Sequence, residues 1–176
     1  GVRIGLVTGA VDADFLNPQV KHFVGKAITE LGELGASLEE VSIPLMSGAA
    51  AVTRVLLAVE SASLYTDLVH NRLSEWDYNV QLDFLVGALL PAQVYHKAQK
   101  VRELTRAQVS EALKKVDVLV LPSSSEPAAP VMKEPGLKSK EEAASRMSGR
   151  RSLTGMANLA SVPALSVPCG FASVDG

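Results

Sequence analysis

Arg3-Ile4-Gly5-Leu6-Val7-Thr8, Asn17-Pro18-Gln19-Val20, Leu34-Gly35-Ala36 and Val41-Ser42-Ile43-Pro44 are the stretches that decide the fold. The first is rich in β-forming residues and stops at Gly9, which reads as a strand. Asn17 then supplies a helix N-cap, and Pro18 takes the first helical position, where its missing N–H is no loss. Val20, Phe23, Val24, Ala27, Ile28, Leu31 and Leu34 recur at helical spacing, and Gly35 is placed to end the helix as its C′ residue. Leu38, Val41 and Ile43 suit a second strand, closed by Pro44. Strand, helix and strand in this order give a parallel pair with a right-handed crossover.

Further along, helical spacing extends from about Ser47 to Asn71 and is apolar nearly all round before Glu60, the pattern of a buried helix. Arg54 and Glu60 lie inside it and need partners. A helix is expected from about Asn79 and another from Pro91 to about Lys115. On the latter, Val94, Ala98, Val101, Val109, Ala112 and Val116 share a face. Trp76 and Tyr78 sit where they would anchor a helix junction. Val116-Asp117-Val118-Leu119-Val120-Leu121 is apolar except at Asp117, predicts a central strand, and ends at Pro122. The stretch from Ser123 to about Ser145 is irregular, with Pro127, Pro130, Pro135 and the charged run 138–142. At more than about 20 residues it is too long for an ordinary connection and reads as a functional or a mobile loop. A helix is expected over Arg146 to Ser161, and a strand, at an edge or with a bulge because of Pro168, over Ala164 to Phe171.

The composition narrows the function. The chain has 176 residues, enough for one domain, with 47% apolar and 20% charged residues. Seventeen Lys and Arg against 19 Asp and Glu leave a net charge of −2, the wrong balance for a protein built to neutralise phosphates. No nucleic-acid partner is expected. A single Cys, Cys169, excludes an internal disulfide framework and a thiolate-rich metal site. The charge-free stretch Ser152 to Val174 is long enough to raise the membrane question. Gly155, Asn158, Pro163, Pro168 and Gly170 break it, so no membrane span and a cytoplasmic location are expected.

Self-contained catalytic motifs are missing. Leu6-Val7-Thr8-Gly9-Ala10 opens like a nucleotide-binding turn, but Val11-Asp12-Ala13-Asp14 replaces the glycines that would approach a pyrophosphate. GxxxxGK[ST], HExxH and GxSxG are absent, and no Ser is followed three residues later by Lys. Ser123-Ser124-Ser125 follows a strand, yet serines beside proline are ordinary turn chemistry and nothing nearby in sequence supplies a base. Cys169, between Pro168 and Gly170, reads as a buried structural thiol. His22, His70 and His96 fall on polar helical segments and read as exposed or locally bonded. Lys138, Lys140, Arg146, Arg150 and Arg151, interrupted by Glu141 and Glu142, read as a solvated face.

Several segments together resemble the C-terminal portion of the amidase signature family. Asn17-Pro18-Gln19-Val20, Leu34-Gly35-Ala36 and Val41-Ser42-Ile43-Pro44 are similar to its opening unit, and Glu60-Ser61-Ala62-Ser63-Leu64 to a following helix. The most specific segment is Leu90-Pro91-Ala92-Gln93-Val94-Tyr95-His96-Lys97-Ala98-Gln99-Lys100-Val101-Arg102. Asp117 to Ser123 resembles a strand of the family. Asn158 to Phe171 resembles its Asn-Leu-Thr-Gly-x-Pro-Ala-x-Ser-x-Pro-x-Gly-Phe run. The resemblance implies an α/β fold with a mixed, largely parallel sheet covered by helices, residues 1–176 being an incomplete, C-terminal segment of a larger amidase-like domain.

It implies carboxamide hydrolysis by a Ser–cis-Ser–Lys triad carried in the N-terminal half, so no catalytic residue is expected in this chain. It implies no metal and no organic cofactor. The implied partners are a small-molecule amide in the intact enzyme and the missing N-terminal half of the fold. Split from that half, the chain is expected to self-associate or to fold only in part. For Pro122, Ser123, Asn158 and Pro163 the resemblance implies a place in the wall of the substrate pocket. The structural alternatives are that Asn158 holds a turn and Pro163 only stops a helix. Two departures stand out. Ser161 replaces a usual Gly, costing roughly 1 kcal/mol if φ there is positive. Leu82-Asp83-Phe84-Leu85-Val86-Gly87 lacks the Arg pair of the amidotransferase A subunits that resemble the same family, which favours an amidase.

Overall fold

The computed structural model describes residues 1–128 and 153–173, without the side chains of Tyr78 and Asn79. The expected basic cluster 138–151, the later part of the irregular stretch and the first part of the helix expected from Arg146 lie outside the described residues.

The opening unit forms as its sequence dictates. Strand β1 (Arg3–Val7), helix α1 (Pro18–Glu33) and strand β2 (Ser37–Val41) follow in order. Asn17 caps α1, its side-chain oxygen accepting from the Gln19 N–H at 2.9 Å. At the other end Gly35 takes φ +94°. The Gly35 N–H donates to the Gly32 carbonyl at 3.0 Å and the Ala36 N–H to that of Leu31 at 3.1 Å, a Schellman cap. Strand β3 (Val118–Val120) joins the other side of β1, giving the order β2-β1-β3 with both pairings parallel. The strand expected at the centre of the sheet therefore lies at an edge of the described sheet, and β1 takes the middle. That explains why Val118 is 43% exposed while Ile4 and Val7 are buried.

The helices α2 (Met46–Leu64), α3 (Thr66–Asn71), α4 (Tyr78–Leu89), α5 (Ala92–Leu113) and the short α6 (Gly155–Ala160), with a 3₁₀ turn at Leu73–Glu75, complete the described elements. The core lies where β1 and β2 meet α2, α5 and α6, with Val7, Val41, Ile43, Met46, Leu56, Val109, Val116, Met156 and Leu159 in one cluster. Helix α2 is less enclosed than its all-round apolar pattern predicts. Met46, Ala49, Leu56, Ala58 and Ala62 are buried, whereas Leu57 and Leu64 are exposed. Its polar groups do find partners. Arg54 meets Asp83 of α4 at 3.0 Å, and Glu60 accepts from the Tyr95 hydroxyl of α5 at 3.1 Å. Helices α2 and α4 pack backbone to backbone at Gly87, where a Cβ would collide with the Ala58 carbonyl oxygen. Trp76 packs edge-on against Phe84 of α4, ring centroids 5.5 Å apart, with the ring of Tyr65, between α2 and α3, 6.2 Å away, so it does sit at a helix junction as its sequence position suggests.

The segment Ala164 to Phe171 forms no strand. Alternating apolar residues make a strand only when a neighbouring backbone completes a ladder, and Pro168 removes one donor. Cys169 is exposed with that segment, not buried. His22, His70 and His96 are exposed on α1, α3 and α5.

Candidate functional site

In a parallel sheet the chain leaves every strand at the same end, and the loops gathered there are where α/β proteins build their sites. Here that end is formed by the residues after Val7, Val41 and Val120. The loop after β1 is fixed by Asp12, whose carboxylate accepts from the Gly9 N–H at 2.7 Å, and by the Lys21 ammonium, which donates to the Asp12 carbonyl at 2.9 Å. The loop after β3 folds onto the start of α1. The Asn17 N–H donates to the Ser125 carbonyl at 2.9 Å, and the Asn17 amide donates to the Glu126 carboxylate at 2.9 Å.

Ser123 ties two further segments to this loop. Its carbonyl accepts from the Leu153 N–H at 3.2 Å, and its hydroxyl lies 3.1 Å from that of Ser166. The segment beyond Ser166 is held in turn by Gln19, which donates to the Ser173 carbonyl at 3.1 Å and accepts from the Ser173 N–H at 2.8 Å. Of the residues expected at a pocket wall, Pro122 is buried, while Ser123, Asn158 and Pro163 are not. Ser123 is thus brought to the segment that follows Pro163, and Asn158 lies on α6. Among the described residues the Ser123 hydroxyl pairs with another hydroxyl, which is no base.

The turn from Asn158 to Pro163 is the most constrained piece of the site. Ser161 has φ 56° and ψ 43°, the left-handed conformation that the usual Gly would take freely. The Ser161 N–H donates to the Asn158 carbonyl at 3.3 Å and the Val162 N–H to that of Ala157 at 3.2 Å, the same Schellman geometry that Gly35 gives α1. Asn158 therefore holds the turn through its carbonyl. Arg102 of α5 reaches over this cap: its Nε donates to the Leu159 carbonyl at 3.3 Å and its Nη2 to the Ser161 hydroxyl at 3.2 Å. A guanidinium over the open carbonyls of a helix end is favourable in both charge and geometry. Tyr95, Gln99 and Arg102 stand on one side of α5 at spacings of four and three. Gln99 donates to the Tyr95 hydroxyl at 2.7 Å, and both reach Glu60. The spacing was visible in the sequence. The partners, 35 to 59 residues away, were not.

Strong electrostatic pairing lies at the opposite end of the sheet. Arg3 and Asp117, at the start of β1 and just before β3, form a bidentate pair at 2.7 and 3.4 Å. The Asp117 carboxylate also accepts from the Arg3 N–H at 2.9 Å. The hydrogen bond from the Arg3 side chain, then that from its backbone, hold the Asp117 carboxyl below its ordinary range. Arg72 does the same to Glu75 through its side chain. Among the described residues one open groove lies at the end of β2 and another along α5. The first, of about 430 Å³, lies between Glu40–Ser42 and Gln108, Glu111 and Lys115; the second lies at His96, Lys100 and Leu104. Neither includes an expected wall residue. Among the described residues no group of three or more His, Cys, Asp or Glu side chains is placed to hold a metal ion. Nor is any helix there long and apolar enough to cross a membrane.

A three-stranded parallel sheet with helices packed on it, and loops gathered at the strand ends, defines the class as α/β. The sequence profile of the amidase family matches residues 1–176, and the chain belongs to the amidase signature family. It is 32% identical over 197 residues to the A subunit of glutamyl-tRNA(Gln) amidotransferase from Synechococcus sp. (strain CC9605), covering 98% of this chain and 39% of that protein. It is 29% identical over 163 residues to an amidase of Pseudomonas putida, covering 93% of this chain and 35% of the other. A solved amidase superposes with a TM-score of 0.72 at 26% identity, over 90% of this chain and 36% of its own. The chain thus spans little more than a third of the length of these relatives. They include both amidases and amidotransferase subunits.

Proposed function

We propose that residues 1–176 are the C-terminal part of an amidohydrolase that cleaves a small carboxamide to the acid and ammonia or an amine. The observation that carries this reading is the match of the amidase family to the whole of residues 1–176. The coverage of 35% of the Pseudomonas putida amidase leaves room for a catalytic half elsewhere. In this reading the chain supplies strands of the shared sheet and the helices that cover it. The loop after Pro122 and the turn from Asn158 to Pro163 supply part of the acyl-pocket wall. The nucleophile and its Lys stand in the segment that precedes these residues in the intact enzyme, which works in the cytoplasm without nucleic acid or membrane as partner.

Removing the nucleophile of a hydrolase costs on the order of 10⁶ in rate, about 8 kcal/mol of barrier. The chain by itself therefore hydrolyses no amide above background. The test is the transcript upstream of the first codon. A continuous frame that encodes a Gly/Ser-rich stretch with Ser and Lys supports the reading. A true start codon near Gly1 leaves no triad and makes the chain an amidase-derived scaffold that binds without turnover. The identity of 32% to an amidotransferase A subunit favours a second reading, in which the intact protein works within such a complex. Co-purification of the intact protein with a second, different subunit would decide for it. The lack of an Arg pair in 82–86 supports the amidase instead.

A further inference from the structure

Among the described residues, Ser161 is the one non-glycine residue with a positive φ. A side chain raises the energy of that conformation, so something must keep the backbone there. The residues that follow make the angle matter. Val162 packs against the core cluster, and Pro163 disfavours helical backbone at Val162. The rotation at Ser161 therefore sets the direction in which the chain leaves α6. It sets with it the place of Ser166, whose hydroxyl lies 3.1 Å from that of Ser123. The helix itself is fixed. The Thr53 hydroxyl of α2 donates to the Gly155 carbonyl at 3.3 Å, and Met156, Leu159 and Ala160 are buried. Only its exit is left to be held.

The holder comes from another element. Arg102 of α5 donates from Nε to the Leu159 carbonyl at 3.3 Å and from Nη2 to the Ser161 hydroxyl at 3.2 Å. One acceptor lies inside the last turn of α6 and the other just beyond its end. A planar fork that spans both fixes the outgoing chain against the helix, which a single donor at either oxygen would not do. The base of the fork is itself anchored, since Tyr95 and Gln99, on the same side of α5, both reach Glu60 of α2. We infer that Arg102 is a positioning residue: acting through Ser161, it sets the turn from Asn158 to Pro163 against the loop that carries Ser123. The inference rests on the amidase reading, in which that turn and that loop line the acyl pocket. Holding a wall in place governs how well an amide binds, and so KM before kcat.

The experiment uses the protein encoded by the full reading frame. Ser123→Cys/Ser166→Cys, with Cys169→Ser, puts a thiol pair where the two hydroxyls meet, and mass spectrometry of the linked peptides reads how fast the pair oxidises. Arg102→Ala is expected to slow the cross-link about tenfold, the shift in population that the left-handed cost of an unheld Ser allows. Adding Ser161→Gly, which takes the same angle freely, is expected to return the rate to within about threefold of the parent. Arg102→Lys keeps the charge without the fork and guards against a variant that does not fold. It is expected to slow the cross-link at least about threefold and to recover in the same way. Without the two new thiols, Arg102→Ala is expected to raise KM for an aryl amide about tenfold with kcat within about twofold, and Ser161→Gly to lower KM again. The rescue separates placement from packing, because a residue that only stabilises the fold loses as much in either background. Parental cross-linking in both Arg102 variants, no recovery with Ser161→Gly, or a fall in kcat with KM unchanged would each overturn the inference. A parent protein that hydrolyses no amide, while the cross-link responds as expected, counts against the proposed function and leaves the placement by Arg102 standing.

Discussion

Ser161 is a residue in a conformation that suits another. An L-residue in the left-handed region costs roughly 1–2 kcal/mol relative to its ordinary backbone, and Gly escapes that cost. Ser161→Gly is therefore expected to stabilise the chain by about 0.5–1 kcal/mol, the loss of the Arg102 contact offsetting part of the gain. Urea denaturation checks this, and a variant less stable than the parent would contradict it. Arg102→Ala removes a charged donor from the Leu159 carbonyl and from Ser161 at once. About 1.5–3 kcal/mol of stability is expected to go with it, with faster hydrogen exchange at Ser161 and Val162. Of these two residues only Ser161 could be picked out in advance, since a departure from the usual Gly points to the backbone angle. Arg102 lies in the most specific motif of the chain, but its partners sit at the end of α6, and a sequence read in short windows carries no sign of a contact 57 residues away.

Elements were legible wherever their signals were local. Asn17, Pro18 and Gly35 mark both ends of α1, and its helical spacing does the rest. What local pattern leaves open is pairing. Residues 164–171 alternate like a strand, yet a strand exists only through its neighbours, so the same pattern gives no strand here. The contact of α2 with α4 was equally hidden, because Gly87 looks like any helix glycine until Ala58 is found beside it. Gly87→Ala puts a methyl group into backbone and is expected to cost about 3 kcal/mol, read as a lowered urea midpoint. The clamp between Arg3 and Asp117 joins the starts of β1 and β3. Its carboxyl pKa is depressed in the folded chain, so its contribution is present above the ordinary aspartate pKa of about 4 and is lost as pH falls through the lower folded value. The sign gives strand pairing that weakens below about pH 4, and Asp117→Asn should remove that part of the pH dependence. Amide exchange in β1 at two pH values measures it. Equal acid sensitivity in Asp117→Asn would show that other groups set it.

On the scale of the whole molecule, the described sheet has three strands, and apolar side chains stand open at Leu165, Val167 and Phe171. The charge balance and the single Cys narrowed the class of protein early, and the order of motifs pointed to the family that the profile match shows. The site was less legible, because its chemistry in the proposed reading belongs to residues outside this chain, and a pocket wall of Pro, Ser and Asn carries no spacing of its own. An isolated chain with this surface is expected to associate in sedimentation in a concentration-dependent way. A sharp monomer with a cooperative melt over the whole range would contradict that.

The central claim is that these residues frame an amide site whose catalytic groups lie elsewhere in the intact enzyme. An amide-hydrolysis assay on an aryl amide, run on the purified chain and on the protein encoded by the full upstream frame, tests it most directly. The account predicts background turnover for the chain and clear turnover for the longer protein. Turnover by the chain alone that disappears in Ser123→Ala would contradict it.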